Sequence, residues 1–300
     1  MSPDRSGSTR TVVEGRELTI SNLDKVLYPA SGFTKGQLID YYARIAPVML
    51  PHIQDRPLTM KRFPDGVEGP SFFEKHLPSH APDWVRHVAV PGAEGESVEY
   101  AVVCDLATLV WAANLATIEF HVPLWRVGRR RRLPGPPDHM VFDLDPGEGA
   151  TIVECCVVAA HIVEVLDDDN RAAVAKTSGS KGLQVYVPLP EATTWDRIRT
   201  EAYQMATEIE RSRPDLVVSN MRRSLRTKKV LIDWSQNHPA KTTVAAYSLR
   251  ARPTETVSTP VTWEEVRQCA DTGDPDLLRF TAPEVLDRVA DGGDLFASVL

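Results

Sequence analysis

The segment Asp143-Leu144-Asp145 constrains this chain most, because it places two carboxylates in an apolar stretch with the character of a β-strand. Side chains alternate across a strand, so Asp143 and Asp145 point to one face while Leu144 points into a core. Their Cα atoms would lie about 6.6 Å apart, so both side chains can reach metal ions spaced about 3.5–4 Å. Carboxylates at the end of a buried strand are costly without cations, so metal ions or arginines are the expected partners.

A third acid, Asp233, also ends an apolar stretch, which begins at residue 230. Three acids in such settings indicate one cluster, and hard oxygen ligands suit Mg²⁺ or Mn²⁺. Asp143, Asp145 and Asp233 are therefore candidate catalytic residues, which would hold two Mn²⁺ or Mg²⁺ ions. The alternative is that these acids cap turns or pair with arginines, since an Asp-x-Asp motif is weak evidence by itself.

Strand and helix patterns alternate around the acids, which indicates an α/β (α+β) fold. A helix with apolar residues at helical spacing is predicted from Thr34 to about residue 50, and two acidic helices are expected near the C-terminal end. In the second half we predict strands at residues 140–145, 172–176, 183–188, 216–219, 230–234 and 243–249, with helices near residues 151–166 and 194–211.

No repeat or long loop marks a domain boundary in the 300 residues. We predict a flexible N-terminal extension over residues 1–16 and one composite catalytic domain over residues 17–300. The extension lacks the apolar segment of a secretory signal, and no apolar run approaches the roughly 20 residues that span a bilayer, so a cytoplasmic protein without a membrane partner is expected. The four cysteines form no C-x-x-C pair, which predicts neither a zinc site nor a disulfide framework.

The net charge of −7 argues against a nucleic-acid partner until its distribution is considered. Residues 253–300 carry ten acids and three arginines; removing these from the 41 acidic and 34 basic side chains of the chain leaves 31 of each. Ten of the remaining basic residues form two clusters, at residues 126–132 and 222–229. Each cluster is either ordinary solvated surface or a phosphate-binding surface.

The loop at residues 177–182 combines glycines, which permit close backbone approach, with hydroxyls and Lys181, which suit a phosphate. It lacks the P-loop spacing and precedes a strand, so an ordinary hairpin loop is an equal alternative. Arg226 and Arg250, near the third acid in sequence, could clamp a triphosphate.

Phe72 and Phe73 are adjacent aromatics in a predicted strand, so one of them must face away from the core and could stack on a base. The more common explanation of such a pair is that it spans two cores. His121 ends another apolar strand, and by itself is better explained as a hydrogen-bonded core histidine.

Taken together, the motifs resemble those of the polymerase domain of bacterial ligase D, the end-joining ligase, and of the related stand-alone mycobacterial primase-polymerases. The resemblance covers nearly the whole chain. It is carried by Asn22-Leu23-Asp24-Lys25, Lys61-Arg62-Phe63-Pro64, Phe72-Phe73-Glu74-Lys75, His121-Val122-Pro123, Val141-Phe142-Asp143-Leu144-Asp145-Pro146-Gly147, Thr177-Ser178-Gly179-Ser180-Lys181-Gly182 and Asp233-Trp234-Ser235-Gln236-Asn237.

The resemblance implies the fold of the archaeo-eukaryotic primases, an N-terminal α/β unit joined to an RRM-like catalytic sheet. It implies that the three aspartates are the metal triad, and that Phe72 or Phe73 stacks on a base. The residues implied to surround the incoming nucleotide are Lys61, His121, Ser178, Ser180, Lys181, Arg226, Gln236 and Arg250. Those implied to bind a 5′-phosphate on the downstream side of a gap are Asn22, Lys25 and Lys35.

The implied activity is repair synthesis, in which a primer 3′-hydroxyl attacks a bound nucleotide at short gaps or breaks. Implied partners are gapped or broken duplex DNA with a 5′-phosphate, NTP or dNTP with ribonucleotides preferred, and end-joining or excision-repair proteins, in a nucleoid-associated setting. Two rivals stay open at this point: a two-metal nuclease or phosphoesterase, and a break-binding module with weak catalysis. The chain departs from the family at Gln184, where a histidine is usual, which puts a phosphate donor in doubt.

Overall fold

A computed structural model describes residues 7–92, 95–128, 133–190 and 193–300. The basic residues 129–132 lie outside the described residues. Within these ranges no helix is long and apolar enough to cross a membrane. The helices are α1 (Lys35–Ile53), α2 (Leu106–Asn114), α3 (Ile152–Asp168), α4 (Trp195–Ser212), α5 (Trp263–Thr272) and α6 (Ala282–Gly292).

The six strands predicted in the second half are present, most of them with shifted ends, and mixed α/β structure is confirmed. They are β1 (Ser8–Val13), β2 (Arg16–Ser21), β3 (Val26–Tyr28), β4 (Phe33–Thr34), β5 (Thr59–Arg62), β6 (Phe72–Glu74), β7 (His87–Pro91), β8 (Ser97–Ala101), β9 (Thr117–Val122), β10 (His139–Pro146), β11 (Val174–Thr177), β12 (Leu183–Pro188), β13 (Val217–Val218), β14 (Val230–Asp233), β15 (Thr243–Val244) and β16 (Pro260–Val261).

The larger sheet has the order β13-β14-β10-β12-β11-β16. Its central four strands, with α3 and α4 as connections, form the β-α-β-β-α-β arrangement of the expected RRM-like sheet. Phe142 and Leu144 belong to the core that includes apolar residues of α3 and α4. Because side chains alternate, Val141, Asp143 and Asp145 point to the opposite face of the sheet. On that face Val141 belongs to a second hydrophobic core, which includes residues of α1 and α2.

A smaller antiparallel sheet of order β15-β9-β5-β6 forms the other half of the molecule. Helix α1 begins at Thr34, whose side chain forms a capping box with Gln37, and its Tyr42 ring packs 4.6 Å from that of Phe120 on β9. The core of this half also contains Val141 and Tyr186 of the larger sheet. The face that carries the acids is therefore turned toward the smaller sheet.

Two predictions of local structure need correction. Residues 8–13, assigned to a flexible extension, form β1 and pair with β2, so the boundary at residue 16 falls inside a hairpin. The strand predicted over residues 243–249 ends at Val244, because the chain turns at Tyr247, whose φ is +67°. The predicted single catalytic domain over residues 17–300 stays a prediction.

Candidate functional site

The three predicted acids lie together on neighbouring strands of the larger sheet. Asp143 on β10 is paired directly with Asp233 on β14, and Asp145 lies two residues farther along the same face. On its other side Asp143 is paired with Gln184 of β12. The register thus brings together carboxylates that are about 90 residues apart in sequence.

The acids are poorly compensated by protein cations. Burial raises the pKa of Asp143 to about 7, and the charges of Asp145 and Asp233 add to the shift, while a 3.0 Å hydrogen bond from Gln184 Nε2 opposes it. The pKa of Asp145 is also raised by burial and by Asp233, against the opposing charges of Arg226 and Arg250. Mutual repulsion of this kind is what a bound cation would relieve.

Asp233 also performs the capping role that the sequence left open. Its Oδ1 accepts hydrogen bonds from the Ser235 amide (3.0 Å) and hydroxyl (2.6 Å), and its Oδ2 accepts one from Gln236 Nε2 (3.2 Å). Among the described residues no group of three or more His, Cys, Asp or Glu side chains is arranged to hold a metal ion. The donor chemistry nevertheless fits Mn²⁺ or Mg²⁺, because three carboxylates with repelling charges share one face.

An open cleft of about 400 Å³ lies over Asp143 and Asp145. Its wall includes six of the eight residues predicted to bind a nucleotide: His121, Ser178, Ser180, Lys181, Arg226 and Arg250. The other two lie beside the cleft. Lys61 is near the Glu119 carboxylate, which also contacts His121 of the cleft wall. Gln236 donates a hydrogen bond to Asp233. The Nε atoms of Arg226 and Arg250 are buried without a hydrogen-bond partner among the described residues.

Glu119 is a site residue that the sequence analysis missed. This buried carboxylate lies 2.9 Å from His121 Nε2, 3.4 Å from Arg250 Nε and 3.6 Å from Lys61 Nζ. Burial alone would raise the pKa of Glu119, but the hydrogen bond of His121 and the charges of Arg250 and Lys61 hold it at about 2. Glu119 and His121 stand two residues apart on an apolar strand, the same pattern that identified Asp143 and Asp145, and that pattern could have found it.

The loop at residues 177–182 is fixed against the chain that follows β15. Ser178 Oγ accepts hydrogen bonds from the amides of Ser180 (3.2 Å) and Gly182 (3.0 Å), and its carbonyl oxygen accepts one from Arg250. Gly179 has a φ of +65°, and a Cβ there would lie 2.6–2.7 Å from backbone atoms of residues 257 and 258. The loop therefore presents Lys181 beside the acids from a defined backbone.

The three residues predicted to bind a 5′-phosphate gather at the start of α1. Lys25 is exposed and pairs with Asp65 at 2.9 Å, while Lys35 is buried and donates a 2.7 Å hydrogen bond to the Ser21 carbonyl. Asn22, with a φ of +56°, follows Ser21 directly. Burial lowers the pKa of Lys35 to about 8, and the positive charges of Lys25 and Arg62 lower it further. Arg62 is therefore a neighbour of this group, which the sequence analysis did not identify.

Phe72 and Phe73 lie between these two groups of basic residues. Both rings are exposed, by 45% and 57%, so both face away from the core rather than one. The Arg62 guanidinium lies 5.3 Å from the Phe72 ring, and Lys61 Nζ lies 5.5 Å from the Phe73 ring. Adjacent residues of β5 thus link one aromatic to the 5′-phosphate candidates and the other to the nucleotide candidates.

The chain is similar to known proteins along nearly its whole length. The family model of the LigD primase-polymerase domain matches residues 34–296. The multifunctional non-homologous end joining protein LigD of Mycolicibacterium smegmatis is 44% identical over 278 residues, which are 93% of this chain and 35% of that protein. The bifunctional LigD of Bacillus subtilis is 32% identical, over 92% of this chain and 43% of that protein.

The chain spans about a third of the length of the mycobacterial relatives it matches. Among solved structures, the polymerase domain from Mycobacterium tuberculosis ligase D in complex with DNA superposes with a TM-score of 0.88 at 43% sequence identity. That match covers 94% of this chain and 97% of the other.

Proposed function

This chain belongs to the family of LigD primase-polymerase domains, which are DNA-directed nucleotidyltransferases, and on that premise we propose that it fills short gaps and extends broken ends in DNA repair. The observation that carries the proposal is the pairing of Asp143 with Asp233 beneath a cleft lined by arginine and lysine. The reaction joins a primer 3′-hydroxyl to the α-phosphate of a nucleotide and releases pyrophosphate.

The acids and the basic residues have separate roles in this proposal. Asp143, Asp145 and Asp233 would hold two Mn²⁺ or Mg²⁺ ions, which when bound supply activation of the hydroxyl and neutralisation of phosphate charge. Lys181, Arg226 and Arg250 bind the triphosphate by charge-assisted hydrogen bonds. A nuclease or phosphoesterase does not need such a triphosphate site, which favours the polymerase.

Primer extension on labelled gapped DNA separates the polymerase from its two rivals. Lengthening of the primer in the presence of NTP and Mn²⁺ is the expected result. Shortening would indicate a nuclease, and an unchanged primer bound with high affinity would indicate a break-binding module. Chelation with EDTA is the matched control and should abolish lengthening without releasing the DNA.

We also propose that Asn22, Lys25 and Lys35 bind the 5′-phosphate downstream of the gap. The buried ammonium of Lys35 beside Lys25 and Arg62 supports this, because clustered cations at the start of a helix favour a phosphate. Removing the phosphate from the DNA should weaken binding, since each charge-assisted contact contributes about 1.5–3 kcal/mol. A Lys25→Ala/Lys35→Ala variant that kept the wild-type preference for phosphorylated gaps would locate the pocket elsewhere.

A preference for ribonucleotides and for Mn²⁺ completes the proposal. His121 and the hydroxyls of Ser178 and Ser180 border the cleft, and a 2′-hydroxyl offers them both a donor and an acceptor. One net hydrogen bond of about 0.5–1.5 kcal/mol gives roughly two- to twelvefold selectivity. Competition between GTP and dGTP opposite a template cytosine, run in Mn²⁺ and in Mg²⁺, should show a ribonucleotide bias and faster Mn²⁺ reactions; equal incorporation or equal rates would contradict the respective half.

Because the named relatives are non-homologous end joining proteins, we propose end joining as the pathway, with end-joining or excision-repair proteins as partners at the nucleoid in the cytoplasm. Association with such a partner should depend on the presence of a DNA end. Co-purification that was equally strong on closed circular DNA would argue against a role at breaks.

A further inference from the structure

A buried lysine lies behind the acidic residues on the same face of the larger sheet. Lys176 on β11 is only 1% exposed, and it is paired directly with Gln184 of β12, which in turn is paired with Asp143 of β10. Its Nζ donates hydrogen bonds to Gln184 Oε1 (2.5 Å) and to Ser258 Oγ (2.7 Å). A buried lysine is costly, so its retention beside the site calls for a reason.

The hydrogen bonds around Lys176 have a defined direction. Ser258 Oγ donates its own proton to the Thr177 carbonyl at 2.8 Å, so it can only accept from Lys176. Gln184 likewise accepts at Oε1, and this leaves its amide NH₂ facing Asp143 Oδ1 at 3.0 Å. Lysine therefore orients the amide, and the amide donates to the carboxylate.

We propose that Lys176 is a positioning residue of the metal site, which acts through Gln184 to hold the Asp143 carboxylate in its ion-binding orientation. This inference rests on the proposed function, because it takes Asp143 to be a metal ligand. Without the hydrogen-bond donor at Lys176 Nζ, the Gln184 amide can turn and present its oxygen to Asp143, which replaces an attraction by a repulsion. Partners that orient metal-ligating carboxylates typically contribute about 10–100-fold to metal affinity or activity.

The test is Mn²⁺ binding, measured by electron paramagnetic resonance of the free ion with the full chain and without a turnover assay. Lys176→Met, which keeps the length of the side chain without its charge, should weaken Mn²⁺ binding about tenfold. Gln184→Leu should weaken it by a similar factor. Because the two residues act in series, the double variant should be no weaker than Gln184→Leu alone.

Ser258→Ala is the matched structural control, since it removes the other partner of Lys176 and leaves Gln184 in place. It should lower thermal stability but keep Mn²⁺ affinity within about twofold of wild type, and the KM for gapped DNA should not change in any of these variants. A Lys176→Met protein that binds Mn²⁺ like wild type, or a double variant with additive losses, would overturn the inference. If Lys176→Met does not fold, wild-type Mn²⁺ affinity in Gln184→Leu would overturn it equally.

Asp143→Asn separates this inference from the proposed function. If wild type binds Mn²⁺ and Asp143→Asn does not, Asp143 is a metal ligand whatever the result for Lys176. If Asp143→Asn binds Mn²⁺ as tightly as wild type, the metal assignment itself fails, and the positioning role fails with it.

Discussion

Glu119 and Asp143 are carboxylates on the two sheets that border one cleft, yet their pKa values move in opposite directions. Burial opposes the ionised form of both. At Glu119 the protein itself supplies His121, Arg250 and Lys61, and the pKa falls to about 2. At Asp143 the nearest charges include two further carboxylates, and the pKa rises to about 7.

The difference indicates how a carboxylate neutralised by the protein can be distinguished, by its neighbours, from one suited to an added cation. The carboxylate of Glu119 is already paired with basic side chains, so we propose that it holds His121, Arg250 and Lys61, the residues proposed to bind the nucleotide, in place. Asp143 and its neighbours carry charge that the described protein cations do not balance, so the site is suited to an added cation. Variants on each side of the cleft can test whether the acidic residues and the basic residues around Glu119 act as separately as this contrast implies.

The largest effect is expected at the acidic side of the cleft. Asp145→Asn should reduce nucleotide addition by about a hundredfold or more, because it removes a ligand needed to stabilise the transition state. Binding to gapped DNA, measured by fluorescence anisotropy, should stay within about threefold of wild type. Asp271→Asn, which changes an exposed aspartate, serves as the control. An Asp145→Asn enzyme with activity within tenfold of wild type would contradict the metal assignment.

At the basic side, Glu119→Gln should raise the KM for NTP about tenfold, because a neutral amide holds Arg250 and Lys61 less firmly than a carboxylate. Mn²⁺ affinity should remain unchanged, since Glu119 does not contact the three aspartates. Steady-state kinetics against NTP concentration and a Mn²⁺ titration measure both halves, with the exposed Glu264→Gln as control. A variant that lost Mn²⁺ affinity while keeping its KM would remove the distinction between the two regions.

The effect farthest from catalysis is the pH dependence of stability in metal-free protein. The folded pKa of Asp143 lies above its ordinary 3.8, so the folded state retains a proton that the unfolded chain releases, and stability falls as pH rises from about 4 to 7. Glu119 behaves oppositely: its folded pKa lies below 4.5, so its stabilisation is present above 4.5 and is lost as pH falls toward 2.

Thermal unfolding in EDTA measures both contributions. Asp143→Asn should flatten the decline between pH 4 and 7. In buffer without EDTA, added Mn²⁺ should stabilise wild type most at the upper end of that range. A difference of one kcal/mol moves the unfolding temperature by roughly 1.6 °C in a chain of 300 residues, whose unfolding entropy is about 2.1 cal/mol/K per residue. Parallel pH profiles for wild type and Asp143→Asn would show that the charge of Asp143 is balanced by other groups.

Local periodicity was sufficient to place the acids, because strand alternation determines which face Asp143 and Asp145 share. It could not reveal Glu119 as a contact of Arg250, since that contact depends on chain segments 131 residues apart in sequence. The hydrogen bonds from Lys176 to Gln184 and from Gln184 to Asp143 could not be predicted for the same reason. Only the register of three strands brings these residues together. Motif resemblance identified the family but carried no information on a lysine outside the motifs.

The two errors in local structure have physical causes. The N-terminal hairpin was missed because its strands are polar, although the turn at Glu14 and Gly15, with φ values of +49° and +77°, follows the Gly-containing pattern of tight hairpins. The strand expected over residues 243–249 was overextended because its apolar run continues past Val244 into the buried turn at Tyr247, and burial in a turn produces the same hydrophobic pattern as burial in a strand.

The central claim is that the uncompensated acids of the larger sheet bind the ions used for nucleotide addition. Anomalous diffraction at the manganese edge, from crystals of the protein with Mn²⁺, gapped DNA and a non-reactive nucleotide, tests this claim directly. We expect two anomalous peaks in contact with Asp143, Asp145 and Asp233, beside the triphosphate. Peaks located elsewhere, or a triphosphate bound with no manganese at these three carboxylates, would contradict it.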